Sequence, residues 1–344
     1  MTNKDLISKY DLQNQFQVLR DSYLQIQTAW EGKLESNNID VSKIQNIIVA
    51  GMGGSAIGGE LLPAFLGEEL KFPFQVNRNY SLPNYINENT LFIASSYSGF
   101  TEETLSSLNE AIERNAQIVC VTTGGKLEEV AKFNKLPIFK LMKGFQPRFA
   151  LYSSFFALLK ILQELSLIGF QNSTTNKIIT NLKEMSLEFT KETNEAEQFS
   201  RDLIGFIPII YGVSGRTDSV AIRIKGQFNE NSKLHAFYNN FAELNHNEII
   251  GWESFNANQI NAKVIIIEDE SYHPQIQKRI AITKQLISKM GCEVKSFTSN
   301  KSEFKERLFD IIYFADWVTY YHAVQRGKDP IEIDNIHYLK ENLQ

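Results

Sequence analysis

The sequence predicts an α/β protein built from two doubly wound parallel sheets. Three observations carry this. Short apolar runs of strand length alternate with stretches of helical periodicity, the pattern of parallel pairing with right-handed crossovers. Several of those runs stop at loops of Gly, Ser and Thr that then open a helix. The first such loop, GMGGSAIGG at residues 51–59, recurs in layout as GVSGRTDSV at 212–220, the mark of a duplicated unit. A length of 344 residues suits two domains better than one. The expected division is residues 1–170 for N-terminal helices and a first domain, 171–203 for a helical bridge, and 204–344 for a second domain with a C-terminal helix.

Within residues 4–31, Leu12, Phe16, Leu19, Tyr23 and Ile26 recur at a helical period, so one or two amphipathic helices pack outside the first sheet. Ile44–Ala50 is an apolar strand that stops at Gly51. Glycines 51, 53 and 54 allow a tight turn and close approach of another backbone or a ligand. The helix that follows, Ser55–Leu66, aims N–H groups and a partial positive charge at whatever lies above it, a ready phosphate site. Phe74–Asn77 and Thr90–Ser96 are the next strands, and the latter runs into SSYSGFTEET, with a helix from about Thr101. Gln117–Thr122, ending TTGG, and Leu136–Lys140 complete the first sheet. Ligands of such sheets lie beyond the carboxyl ends of the strands, where the Gly51 and Ser96 loops can converge.

Phe149–Gly169 is a long apolar helix entered through QPRFAL, and residues 172–203 are polar and helical. The second domain offers strands at Phe206–Val213, Leu234–Tyr238, Lys263–Glu268 and Glu293–Phe297. Its helices are expected at Val220–Glu230, Tyr272–Met290, Phe304–Gln325 and, after Asp329-Pro330, Ile333–Leu343.

A formal charge of −5 and a pI near 5.7 argue against a nucleic-acid binder. An anionic ligand must therefore be captured by local geometry. The two cysteines, Cys120 and Cys292, have no CxxC or histidine spacing and read as reduced, buried residues of a cytoplasmic protein. The polar start, MTNKDLISKYDLQNQ, suggests no signal peptide, and the longest apolar run, around Ile204–Val213, is too short to span a bilayer.

Gly51-Met52-Gly53-Gly54-Ser55-Ala56 satisfies the dinucleotide pattern GxGxxA, but the following strand ends QVNRNY and lacks the ribose-binding acid. Arg78 could instead meet a 2′-phosphate, which leaves an NADP enzyme as one rival. Ser96, Ser98 and Thr101 are either an ordinary helix cap or, since one hydroxyl suffices for a cap, a ligand cradle. Arg148 at a helix entrance opposes the dipole: it is either solvated or set there for an anion. Glu230, where a helix should end, also opposes the dipole, although a solvated carboxylate is the plainer account. His246 in ELNHNE could pair with Glu243 or Glu248, or stand alone on the surface. Lys340 near the terminus simply favours the dipole. None of the five histidines shows HExxH or HxH spacing, so no metal site is expected.

In order along the chain, GMGGSAIGG, SSYSGFTEET, QPRFAL, GQFNENSK, ELNHNE and the terminal LKENL resemble the bifunctional phosphoglucose/phosphomannose isomerases. These belong to the phosphoglucose isomerase superfamily, built from two flavodoxin-like SIS (sugar isomerase) domains. The resemblance covers nearly the whole chain. It implies that Ser55, Ser96, Ser98 and Thr101, with the backbone of Gly54, hold the substrate phosphate. Conventional phosphoglucose isomerases have a lysine where Tyr97 stands. It implies Glu230 as the base that carries a proton between C1 and C2 through a cis-enediol. Arg148 is then the cation at the enediolate, His246 the ring-opening group supplied by the partner subunit of a homodimer, and Lys340 an aid at the ring oxygen. Such proton transfer calls for neither metal nor redox cofactor.

The implied reaction is interconversion of glucose 6-phosphate and fructose 6-phosphate, with mannose 6-phosphate as a further substrate. The threonine that the family associates with mannose is absent from IEIDNIHYLK, where Ile333 or a neighbour takes its place. The other rival is a non-catalytic phosphosugar-binding SIS module, which needs the phosphate loops but not Glu230, His246 and Lys340 together.

Overall fold

The computed structural model describes residues 2–35, 38–255 and 261–343. The chain forms two compact units, Asp21–Thr180 and a discontinuous one of Met1–Arg20 with Asn181–Gln344. In chain order, helices α1 (Asn3–Tyr10), α2 (Gln15–Arg20) and α3 (Ser22–Glu31) precede β1 (Asn46–Ala50), α4 (Gly53–Leu66), β2 (Phe74–Asn77), β3 (Thr90–Ser95) and α5 (Glu102–Glu113). Then come β4 (Gln117–Thr122), α6 (Gly125–Phe133), β5 (Ile138–Lys140), α7 (Leu151–Glu164), α8 (Asn172–Phe189) and α9 (Glu195–Asp202). The rest is β6 (Ile207–Val213), α10 (Asp218–Glu230), β7 (Phe237–Phe241), α11 (Glu248–Gly251), β8 (Ala262–Ile267), α12 (Pro274–Lys289), β9 (Glu293–Phe297), α13 (Phe304–Gln325) and α14 (Asp334–Glu341).

In the first unit five parallel strands run in the order β2-β1-β3-β4-β5, the flavodoxin-like order. Every residue of β3 is buried, as expected of a central strand covered on both faces. Ile48, Phe92, Ile118 and Cys120 pack on one face against Leu108 and Ala111 of α5 and Leu127 and Ala131 of α6. The second unit holds a four-stranded parallel sheet among the described residues, in the order β7-β6-β8-β9, the same winding one strand shorter. Its central helix α13 is buried along almost its whole length. Residues at the N-terminus join this unit because α13 reaches for them. Tyr313 Oη donates to the Leu19 carbonyl at 2.8 Å, and Tyr320 Oη donates to the Asp11 carboxylate at 2.8 Å.

The two doubly wound sheets expected from the sequence are present, with local differences. Helix α4 begins at Gly53 rather than Ser55. The apolar segment from Phe149 turns first as a 3₁₀ element, Pro147–Phe149, and the helix runs only from Leu151 to Glu164. Strand β7 lies three residues later than Leu234–Tyr238. The chain leaves α10 through a left-handed Lys233, and Asn229 Nδ2 donates to the Leu234 carbonyl at 2.8 Å, which spends residues 233–235 on the turn. Phe237 and Tyr238 are 56% and 42% exposed at this sheet edge, so hydrophobicity does not mark the strand. Helix α6 has only Leu127 and Ala131 buried, too few apolar positions to stand out in the sequence.

Candidate functional site

Helices α4 and α5 start at the carboxyl ends of β1 and β3, and neither is closed by a side-chain cap from its N-cap residue. For Thr101 this removes the ordinary helix-cap reading. Its hydroxyl does not cap α5; it lies 2.8 Å from Ser96 Oγ. Ser96 Oγ in turn accepts from the Gly99 N–H at 3.1 Å, and Ser98 Oγ accepts from the Phe100 N–H at 3.2 Å. The hydroxyls thus shape the loop while the helix N–H groups stay clear of them.

Ser55 ties the two loops together. It is buried in the first turn of α4, and its Oγ accepts from the Tyr97 N–H at 3.3 Å. Tyr97 occupies the inside of the second loop. Its hydroxyl donates to the Met142 carbonyl at 2.9 Å and accepts from the Phe145 N–H at 3.0 Å, and burial pushes its phenol up. The loop after β4 backs both. Thr123 Oγ1 donates to the Tyr97 carbonyl at 2.8 Å, and a Cβ on Gly99 would stand 1.9 Å from the Gly124 carbonyl oxygen. Only glycine, at φ 75° there, fits between these backbones.

Arg148 belongs to the same cluster. A Cβ on Gly54 would lie 2.5 Å from the Pro147 carbonyl oxygen and 3.6 Å from Arg148 Cα, so the arginine's turn sits directly on the first turn of α4. Arg148 is 4% exposed, which rules out the solvated alternative. Its guanidinium carbon stands 5.2 Å from the Phe149 ring centre. Gln25, buried on α3, fixes this turn: its Nε2 donates to the Phe149 carbonyl at 2.9 Å and its Oε1 accepts from the Ser153 N–H at 3.4 Å. The first unit therefore gathers Gly54, Ser55, Ser96, Ser98, Thr101 and Arg148 at one end of its sheet. Arg78, in contrast, forms an ion pair with Glu60, which engages the cation that the NADP reading required.

Glu230, His246 and Lys340 lie on three separate elements of the other unit. Glu230 is the last residue of α10 and is half-buried. His246 closes a 3₁₀ turn, Glu243–His246, and is exposed. Neither neighbouring carboxylate engages it. Glu243 accepts from Asn247 Nδ2 at 2.7 Å, while Glu248 accepts from Tyr211 and Asn239. Tyr211 is fully buried, and burial, with the Glu248 carboxylate beside it, pushes its phenol up. Trp252 Nε1 completes this network by donating to Tyr211 Oη at 3.1 Å. Lys340 lies on α14, which has no buried residue.

Sequence reasoning missed Gln25, Thr123 and the Tyr211–Glu248–Trp252 network. TTGG after β4 was the one available signal for the second. Gln25 and Tyr211 look like ordinary helix and strand residues, and only long-range packing reveals their partners.

Two sheets of this winding, one of them with hydroxyl- and glycine-lined loops gathered on an arginine turn, define a protein of the double SIS class. The sequence model of the SIS domain matches residues 40–157, and that of the bacterial phospho-glucose isomerase C-terminal SIS domain matches residues 192–343. The chain is 41% identical to a bifunctional phosphoglucose/phosphomannose isomerase of Caldicellulosiruptor bescii over 93% of its own length and 96% of that protein. It is 35% identical to the protein of that name from Aquifex aeolicus, over 89% and 92% of the two chains. A D-glucosamine-6-phosphate 4-epimerase of Sulfolobus acidocaldarius is 32% identical over 65% of this chain and 70% of that protein. Among solved structures, a hypothetical protein from Thermus thermophilus shares the fold with a TM-score of 0.77 at 14% identity, over 99% and 92% of the two chains. The chain belongs to the bifunctional phosphoglucose/phosphomannose isomerase family.

Proposed function

We propose that this protein interconverts glucose 6-phosphate and fructose 6-phosphate, and takes mannose 6-phosphate as a further substrate. The observation that carries this reading is the seating of the Arg148 turn on Gly54 beside the Ser96–Thr101 loop, in a chain whose relatives are named for these two activities. The phosphate is held by the hydroxyls of Ser55, Ser96, Ser98 and Thr101 and the N–H of Gly54, at the N-terminus of α4. The base is Glu230. It takes the C2 proton of the open-chain aldose, can exchange it with water while the enediol stands, and delivers a proton to C1, while a second proton passes from the C2 hydroxyl to the C1 carbonyl oxygen. Oxidation state is conserved overall. Arg148 offsets the negative charge of the enediolate that forms between the two transfers. Lys340 acts at the ring oxygen during opening.

His246 acts in ring opening from the partner subunit of a homodimer. Support comes from its exposure without a bond to Glu243 or Glu248, and from the apolar side chains of α14 left exposed, Ile336 and Leu339. A mixture of His246→Ala and Glu230→Gln chains should then recover activity that neither has alone. We place the protein in the cytoplasm, where its free Cys120 and Cys292 stay reduced.

A coupled assay on glucose 6-phosphate and mannose 6-phosphate, with glucosamine 6-phosphate as a third substrate, tests the reading. Fructose 6-phosphate formed from the first two supports it. Binding of glucose 6-phosphate without turnover would point to a non-catalytic sugar-phosphate module instead. Turnover of glucosamine 6-phosphate alone, by inversion at C4, would replace isomerisation with the chemistry named for the Sulfolobus relative.

A further inference from the structure

The C-terminal turn of α10 carries far more buried polar anchoring than ending a helix requires. Lys233 stands in the left-handed region at φ 51°, a position at which helices commonly use glycine because it has no Cβ to strain. Its ammonium donates to the Asn231 carbonyl at 3.3 Å and to the Asp329 carbonyl. Arg326 Nη1 donates to the Ser232 carbonyl at 2.6 Å. Asn231 and Ser232 are fully buried and both close on one residue of α13. Asn231 Nδ2 donates to Thr319 Oγ1 at 3.2 Å, and Ser232 Oγ donates to the Thr319 carbonyl at 2.9 Å. One turn back, Gln227 Nε2 at 2.9 Å and Arg223 Nη2 at 2.8 Å hold the buried Asp316 carboxylate, and the Thr319 hydroxyl donates to the Asp316 carbonyl at 3.0 Å.

Residues 223, 227 and 231 form an i, i+4 row that meets Asp316 and Thr319. Glu230 immediately precedes Asn231, off that row. We infer that Thr319 and Lys233 are positioning residues for Glu230: they hold the last turn of α10 so that the carboxylate keeps one geometry. Helix ends fray unless anchored, and a base must be held to a fraction of an ångström of its proton. A helix that only had to stop would take glycine at 233; lysine accepts backbone strain and gains a tether to Asp329. The inference rests on Glu230 being the base.

Three variants test it, each read by kcat, KM and the thermal midpoint. Lys233→Gly relieves the strain while removing the tether; the expected result is a folded protein with kcat lowered about 10- to 100-fold and KM within about two-fold. Thr319→Val should show the same split, and Thr319→Ser, which restores the hydroxyl, should regain most of kcat. Wild-type kcat in both Lys233→Gly and Thr319→Val, or no recovery in Thr319→Ser, overturns the inference. Glu230→Gln measured alongside separates the two claims. Inactive Glu230→Gln with fully active Lys233→Gly and Thr319→Val sinks the clamp alone, whereas an active Glu230→Gln sinks the base.

Discussion

Replacing Gly54 by alanine tests whether the phosphate loop and the Arg148 turn form one packed element. The added Cβ would meet the Pro147 carbonyl oxygen at 2.5 Å, against 3.4 Å or more for ordinary contact. Relief needs about 0.9 Å of movement between two pieces of backbone, the first turn of α4 and the 3₁₀ turn 147–149. Neither yields freely, since Gln25 pins the Phe149 carbonyl and Ser55 is bonded to Tyr97. Overpacking of this kind costs about 1–3 kcal/mol. In a unit of this size that corresponds to roughly 2–4 °C of midpoint per kcal/mol. A shift approaching 1 Å at Arg148 should also lower kcat/KM by up to about 100-fold. Gly67→Ala is the control. It lies at the far end of α4 at φ 53°, with open space around its Cβ; it loses about 1–3 kcal/mol to backbone strain alone and should keep wild-type kcat/KM. Thermal unfolding and steady-state kinetics of both variants decide the matter. Wild-type stability and kcat/KM in Gly54→Ala would refute the packing argument, and equal loss of kcat/KM in Gly67→Ala would show that instability explains the effect.

Three further expectations concern groups away from the loops. His322 is fully buried against Phe228, and burial, with Arg326 nearby, pulls its pKa down to about 4. The unfolded chain therefore binds a proton near pH 6.5 that the folded one refuses, so stability is undiminished above pH 6.5 and falls by about 3 kcal/mol as pH drops toward 4. Denaturant titrations should show this slope, and His322→Met should flatten it. Asp310 is buried and pushed up to about 6, so ionising it costs the folded state progressively from pH 3.8 to 6. Asp310→Asn, which can still accept from Ser299, should gain up to about 3 kcal/mol at pH 7.5 and nothing at pH 3.5, by the same titrations. Burial pushes Cys120 up to about 12 and Cys292 up to about 11. A thiol reagent at pH 8 should thus label neither cysteine until the protein is unfolded, and fast labelling of the native protein would contradict their burial.

The sequence revealed the sheets because buried parallel strands such as Thr90–Ser95 and Gln117–Thr122 are continuous apolar runs bounded by turn residues. The edge strand at Phe237–Phe241 was misplaced for the opposite reason: exposed on one side, it carries no such run. The hydroxyls of 96–101 were legible as a cluster, but whether they capped α5 depended on rotamers, which periodicity does not encode. Arg148 was legible as an anomaly at a helix entrance. Its burial was not, because that depends on Gly54 and Gln25 from distant parts of the chain. The anchoring of Lys233, Asn231 and Ser232 likewise joins α10 to α13, nearly ninety residues apart for Asn231 and Thr319, and leaves no local pattern.

The most direct measurement of the central claim is deuterium incorporation. Wild-type protein incubated with glucose 6-phosphate in deuterated water should place deuterium at C2 of recovered glucose 6-phosphate and at C1 of the fructose 6-phosphate formed. Glu230→Gln should still bind glucose 6-phosphate but incorporate deuterium about 10²–10⁴-fold more slowly. Incorporation at the wild-type rate in Glu230→Gln would contradict the assignment of Glu230 as the base that moves the proton.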